Sequence, residues 1–158
     1  MDKIYDVIIL GAGPGGLAAG IYAGRARLDT LLIEKGKDGG QIAITDEIEN
    51  YPGQMVDGES GPSLIERMTK QVEKFGAERV SDTIVSVDIE GPVKTLVGSN
   101  GTYKARTLII ATGAFPRPIG CKGEGEFMGK GVSYCATCDA SFFEDLVSIR
   151  SWRRRLCC

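Results

Sequence analysis

Apolar positions along this chain follow two different periods, and the points where the period changes divide it into elements. Tyr5 to Leu10 contains the unbroken run Val7-Ile8-Ile9-Leu10, which predicts a short strand buried on both faces. Gly13 to about Arg27 then reads as a helix, with Ala18, Ala19, Gly20 and Ala23 small enough for close packing on a sheet. Leu31-Leu32-Ile33 is a second buried strand, closed by Glu34. A strand, a helix and a strand joined by short connections predict the first unit of a doubly wound parallel sheet. Ser60 to Phe75 has Leu64, Ile65, Met68, Val72 and Phe75 at helical spacing with Gly76 after them, an amphipathic helix whose apolar face is core and which carries its own stop signal. From Thr83 to Arg106 the period shortens to two: Val85, Val87 and Ile89 alternate with polar residues, Gly91-Pro92 interrupts, and Asn100-Gly101 suits a tight hairpin turn. This predicts an antiparallel β-meander inserted in the parallel sheet. Leu108 to Ala111 is a further buried strand, followed by a turn at Thr112-Gly113-Ala114. The fold class is therefore α/β.

Composition narrows the function. With 158 residues, 42% of them hydrophobic and 25% charged, the chain is ordinary for a globular protein. Its formal charge of -2 provides no basic face for nucleic acid, because the cationic cluster of Arg150 and Arg153 to Arg155 is confined to the last residues. No apolar run approaches the roughly 20 residues that span a bilayer, and the first run is too short and too soon followed by glycines for a signal peptide. Neither nucleic acid nor membrane is an expected partner, and the expected location is the cytoplasm. Histidine is absent, so acid-base steps fall to a carboxylate, Lys, Tyr or thiol, and Ser/His and Cys/His hydrolytic sites are excluded.

Two motifs carry chemistry. Gly11-Ala12-Gly13-Pro14-Gly15-Gly16 follows the first strand and opens the first helix, where a dinucleotide's pyrophosphate sits. Gly11 would allow the tight turn, Gly13 the approach of phosphates to backbone N–H groups, and Gly16 close helix packing. Glu34, about twenty residues on, is placed to accept hydrogen bonds from ribose hydroxyls. The second motif is Cys135-Ala136-Thr137-Cys138-Asp139, two thiols two residues apart followed by a carboxylate. It reads as a dithiol/disulfide switch with its own acid, and Asp139 also suits a turn or helix cap. A structural zinc site would need two more ligands from Cys121, Cys157 and Cys158. Cys121 stands alone and suits a small buried hydrophobe, and the other two lie in the atypical terminal segment, so redox chemistry is the preferred reading and no metal is expected.

Taken together with Gly39-Gly40-Gln41, Glu49-Asn50-Tyr51-Pro52-Gly53, Ala111-Thr112-Gly113 and Gly131 to Asp139, these motifs closely resemble the low-molecular-weight thioredoxin reductases from Asp6 to about Leu146. The resemblance implies a Rossmann-like FAD-binding domain, whose N-terminal part is residues 1–114, and the start of an NADPH and redox domain at 115–146. It implies that Gly11 to Gly16 hold the FAD pyrophosphate, that Glu34 holds the adenosine ribose, that Gln41 and Asn50 lie near the ribityl or flavin portion, and that Lys35 and Gly40 are further cofactor contacts. Thr112 and Gly113 would close the flavin domain. NADPH would be the hydride donor. Cys138 would be the flavin-side sulfur, Cys135 the one that attacks thioredoxin's disulfide, and Asp139 the acid for the departing thiolate, in an enzyme that is a homodimer at full length. The flavoprotein of a peroxide-reducing system shares these motifs but carries a further N-terminal redox domain, whereas this chain begins at the flavin strand; a non-enzymatic FAD-binding fragment is the third reading.

After Leu146 the resemblance stops. The family is about twice as long and continues with a second glycine-rich loop, whereas residues 147–158 are rich in Arg and Cys. Codons can be chosen for this tail that, read one base later, encode the missing loop, and Trp152 followed by Arg153 forces a glycine there under any choice. The expectation is a frameshifted tail on a truncated reductase, lacking most of the NADPH site and inactive in this short form, with a natural short chain ending in an arginine-rich solvated terminus as the alternative.

Overall fold

The computed structural model describes residues 3–55, 57–128 and 130–135. Expectations for 136–158, including Cys138, Asp139 and the tail, lie outside these. The chain divides between Gly113 and Ala114 into two compact units.

The first unit contains β1 (Ile4–Leu10), α1 (Pro14–Arg25), β2 (Thr30–Glu34), a 3₁₀ turn (Gly40–Ile44), α2 (Gly61–Lys74), β3 (Glu78–Ser81), β4 (Ile84–Asp88), β5 (Lys94–Gly98) and β6 (Thr102–Ile110). Six strands form one sheet in the order β3-β2-β1-β6-β5-β4. The pairs β3 with β2, β2 with β1 and β1 with β6 are parallel, and β6-β5-β4 is the antiparallel meander. The expected α/β organisation and meander are thus both present, but the meander's last strand and the expected separate strand at Leu108 are one element. The first half of β6 pairs with β5 and its length from Lys104 to Ile110 pairs with β1.

Two apolar clusters lie on the strands. Val7, Ile9 and Leu32 join Leu17 and Ala23 of α1 and Leu64, Ile65, Met68 and Val72 of α2. Both helices therefore cover one face. A Cβ added at Gly20 would lie 3.3 Å from Val72 and 3.9 Å from Ile9, so the small residues of α1 serve the helix pair as well as the sheet. Ser60 caps α2 by accepting the Ser63 N–H, and Gly76, at φ 80°, follows its end. The second cluster contains Ile8, Leu31, Ile33, Leu96 and Ala105, all buried, with Tyr103 and Ile84 packed against them. Among the described residues no helix contributes to it; the meander supplies Leu96, Ala105, Tyr103 and Ile84.

The structure corrects two further expectations in the first unit. Leu108 to Ala111 is not a fully buried strand, because Ile109 and Ile110 are 37% and 66% exposed; α1 and α2 sit over β1 and β2, and no described element covers Ile110. The β5–β6 turn is centred on Ser99-Asn100, one residue earlier than Asn100-Gly101, and neither Asn100 nor Gly101 has positive φ. Asp82 is the reason. This buried carboxylate accepts hydrogen bonds from the Asn100 and Thr83 N–H groups and from Tyr103 Oη at 2.8 Å, fixing the turn without a left-handed residue.

In the second unit Glu124 is buried and accepts the N–H groups of Ile119 and Gly120 at 2.7 and 2.6 Å. Cys121 is exposed and free, contrary to the buried position expected for it.

Candidate functional site

At the C-terminal ends of β1, β2 and β6 the structure gathers most of the sequence-predicted dinucleotide residues. Gly11 leaves β1 at φ 107°, and a Cβ there would meet the Ala111 carbonyl oxygen at 2.3 Å and Thr112 Cα at 3.2 Å. A Cβ on Gly16 would lie 1.8 Å from the Gly11 oxygen. These two positions can only be glycine: the turn is folded on itself and pressed against the end of β6. Gly13 is different, since a Cβ there would meet only the Gly39 oxygen, at 4.0 Å, and Gly15 would meet nothing within 4 Å. Space is left open at Gly13 and Gly15, on the approach to the helix, where an incoming group needs it.

The start of α1 has the electrostatics of an anion site. Gly13 is its N-cap and Pro14, which has no N–H, its first residue; with no side-chain cap and no acid in the first turn, the N–H groups of Gly13, Gly15 and Gly16 carry the partial positive charge of the helix start. Glu34 ends β2 beside the turn. Its Oε2 accepts the Ala12 N–H at 2.8 Å and its Oε1 the Gly36 N–H at 3.1 Å. Each oxygen has a second lone-pair direction, so the carboxylate can also accept a ribose hydroxyl. Gly39 donates its N–H to the Ala12 oxygen at 2.8 Å, and a Cβ on Gly40 would come 3.9 Å from Gly13 Cα. The loop after β2 is therefore folded against the turn.

Other predicted residues are not shown in this cluster. Lys35 is exposed. Asn50 is exposed on the loop between the 3₁₀ turn and α2, beside an acidic cleft of about 550 Å³ lined by Glu47, Glu49, Tyr51, Gln54 and Asp57. That loop is anchored by Glu59, which bridges to Ile48 and binds both Arg67 and Ser63; burial raises the Glu59 carboxyl, but the Arg67 hydrogen bond outweighs it and the net shift is downward. In the second unit Cys135 takes part in a disulfide, and its N–H donates to Ser133 Oγ at 3.1 Å. Among the described residues no group of acidic and sulfur side chains could hold a metal, and no helix is long and apolar enough to cross a membrane.

With a strand, glycine turn, helix and acid in this arrangement, the match to a known family is informative. The model of the pyridine nucleotide-disulphide oxidoreductases matches residues 5–150. The chain belongs to that family. Among pyridine nucleotide-disulphide oxidoreductases it is similar to the thioredoxin reductase of Peptoclostridium litorale, 58% identical over 146 residues that cover 92% of this chain and 46% of the relative. The thioredoxin reductase of Listeria monocytogenes is 51% identical over 144 residues, covering 91% and 44%. Among solved structures, the thioredoxin reductase of Streptococcus pyogenes superposes with a TM-score of 0.81 at 42% identity, covering 90% of this chain and 46% of that one. The chain spans about half the length of the relatives it matches.

Sequence reasoning missed the residues that hold the loop after β2 in place. Asp38 accepts Arg79 Nε at 2.8 Å and Thr69 Oγ1 at 3.3 Å, and Arg79 also donates to the Gly36 oxygen at 3.0 Å. No periodicity marks a contact between residues 41 apart. The only signal is the proximity of Asp38 to Gly39-Gly40.

Proposed function

We propose that this chain provides the flavin turn and the redox disulfide of a thioredoxin reductase, carrying electrons from NADPH to thioredoxin. The observation that supports this best is the convergence of Gly11 to Gly16, Glu34, Gly39-Gly40 and Ala111-Thr112 at the C-terminal ends of β1, β2 and β6. The residues present suit FAD. The uncapped start of α1 would take the pyrophosphate, the open space at Gly13 and Gly15 would admit it, and Glu34 would accept ribose hydroxyls with Lys35 alongside. Gln41 and Asn50 would lie near the ribityl or flavin portion, Gly40 would be a further cofactor contact, and Thr112 and Gly113 would close that side. When bound, FAD supplies a two-electron carrier between a nicotinamide and a disulfide.

The protein's own chemistry is thiol exchange. In the proposed pair, reduced Cys135 attacks a sulfur of the thioredoxin disulfide as a thiolate, forming a mixed disulfide and releasing one substrate thiolate. Cys138 then attacks Cys135, closing the pair and releasing the second substrate thiolate, with Asp139 delivering a proton to a departing sulfur. Two electrons and two protons pass to the substrate. The same reading makes the full-length enzyme a homodimer in the cytoplasm.

The test uses this chain directly. Reduced with a dithiol, freed of it and mixed with oxidised thioredoxin, it should pass on one pair of electrons and reduce one thioredoxin disulfide per chain, while Cys135→Ser should reduce none. FAD should be taken up and should quench on binding. No reduction of thioredoxin by the unsubstituted chain would refute the redox assignment.

A further inference from the structure

We propose that Asp38 and Arg79 are a positioning pair that clamps the loop after β2 against the glycine turn and thereby sets dinucleotide affinity; this rests on the dinucleotide reading above. The loop from Gly36 to Gly40 contains three glycines, two of them, Gly39 and Gly40, at positive φ. Such a segment loses a large conformational entropy when fixed, so a single conformation requires anchors. The structure supplies them at consecutive points. Gly36 receives Arg79 on its oxygen and gives its N–H to Glu34. Asp38, with its side chain 12% exposed, is held by Arg79 from β3 and by Thr69 from α2. Gly39 then donates to the Ala12 oxygen.

This last bond makes the clamp more than local. Ala12 lies in the middle of the turn, and its two peptide groups are both committed to the β2 side, the N–H to Glu34 and the oxygen to Gly39. The orientation of the peptide between Ala12 and Gly13 decides where the Gly13 N–H points, and that orientation is fixed by the Gly39 bond. Releasing Arg79 frees the loop, which releases the Ala12 oxygen and lets the turn sample orientations that do not present Gly13. Arg79 is partly exposed at an edge strand, and such ion pairs add little to global stability. Its effect on the turn is therefore separable from its effect on the fold.

The pair can be tested with Arg79→Ala, Asp38→Asn and the double variant in the 158-residue chain, following FAD affinity by fluorescence, amide exchange at Gly39 and the urea midpoint. If the competent fraction of the loop falls to roughly 0.1–0.3, the FAD Kd rises about three- to tenfold, and Gly39 should lose nearly all of its exchange protection while the amides of β1 and β2 keep theirs. The double variant should be no worse than either single one. Should Arg79→Ala lower the urea midpoint, Arg79→Lys decides: it retains the charge beside Asp38 but not the fork that also reaches the Gly36 oxygen, and should still accelerate Gly39 exchange. Unchanged exchange at Gly39 in a chain that binds FAD, or full additivity of the two single variants, overturns the clamp. A chain that binds no FAD overturns the dinucleotide reading and the proposed control of affinity with it.

Discussion

The glycine turn makes a prediction that separates folding from binding residue by residue. Alanine at Gly16 would bring a methyl group to 1.8 Å from the Gly11 oxygen and 2.9 Å from its carbonyl carbon, both backbone atoms that cannot swing away. Relief requires moving the start of α1 or the end of β1 by more than an ångström, and overpacking of that kind costs about 1–3 kcal/mol. With a urea dependence of about 1–3 kcal/mol per molar, Gly16→Ala should lower the unfolding midpoint by roughly 0.3–3 M. Gly13→Ala meets its nearest atom at 4.0 Å and has φ −74°, which alanine adopts freely. Its stability should stay within about 0.5 kcal/mol of the unsubstituted chain. Its FAD affinity should nevertheless fall by about tenfold or more, as for loss of one charge-assisted hydrogen bond. Gly15→Ala, with nothing within 4 Å, is the control for stability. Circular dichroism in urea and flavin fluorescence titration give the two readouts for each variant. A Gly16→Ala chain that unfolds at the original midpoint, or a Gly13→Ala chain destabilised as much as Gly16→Ala, would refute the division.

Three further outcomes follow from the structure. Leu17→Ala removes a fully buried side chain between α1 and the sheet and should cost about 2–5 kcal/mol in chemical denaturation. Burial raises the Asp82 carboxyl, but hydrogen bonds from Tyr103 and the backbone outweigh it and hold it below its ordinary value. Its contribution is therefore present above the unfolded carboxylate pKa, about 4, and is lost as pH falls through the lower folded value, so melting temperature measured down the acid range should depend less on pH in Asp82→Asn. In the FAD-loaded chain, Cys135→Ser should leave Cys138 free to give a long-wavelength charge-transfer band, and Cys138→Ser should not; the reverse spectra would exchange the two roles.

What the sequence revealed depended on how far apart the causes lie. β1, β2 and α2 were legible because runs such as Val7 to Leu10, and the spacing of Leu64, Ile65, Met68 and Val72, state their burial locally. β3 was not, because an edge strand reading Glu78-Arg79-Val80-Ser81 offers one apolar residue and no period. The burial of Ile109 and Ile110 was misjudged because composition says that a strand is apolar and not whether anything covers it. The turn at Ser99-Asn100 was shifted by Asp82, 18 residues earlier in the chain than the Asn100 amide it accepts. Glu34 was found by its distance from the glycines, yet its bond to Ala12 and the Asp38–Arg79 clamp became visible only once the loop, β3 and α2 were brought together.

The double membership of β6 has a consequence for the order in which the protein acquires its site. β1 is synthesised first, but its partner on one side is the last strand of the same unit, with Ile4 set beside Lys104 and Leu10 beside Ile110. Loop-closure entropy must be met before this pairing returns any energy, and contacts so distant in sequence slow folding. The carbonyl of Ala111, which closes over Gly11, arrives with that same strand. A nascent chain can therefore hold the first strand, helix and acid and still lack a finished turn, and nucleotide affinity should emerge abruptly when β6 docks. A dinucleotide that binds only the closed form would then act as a latch on the joint between the first and last strands of the unit.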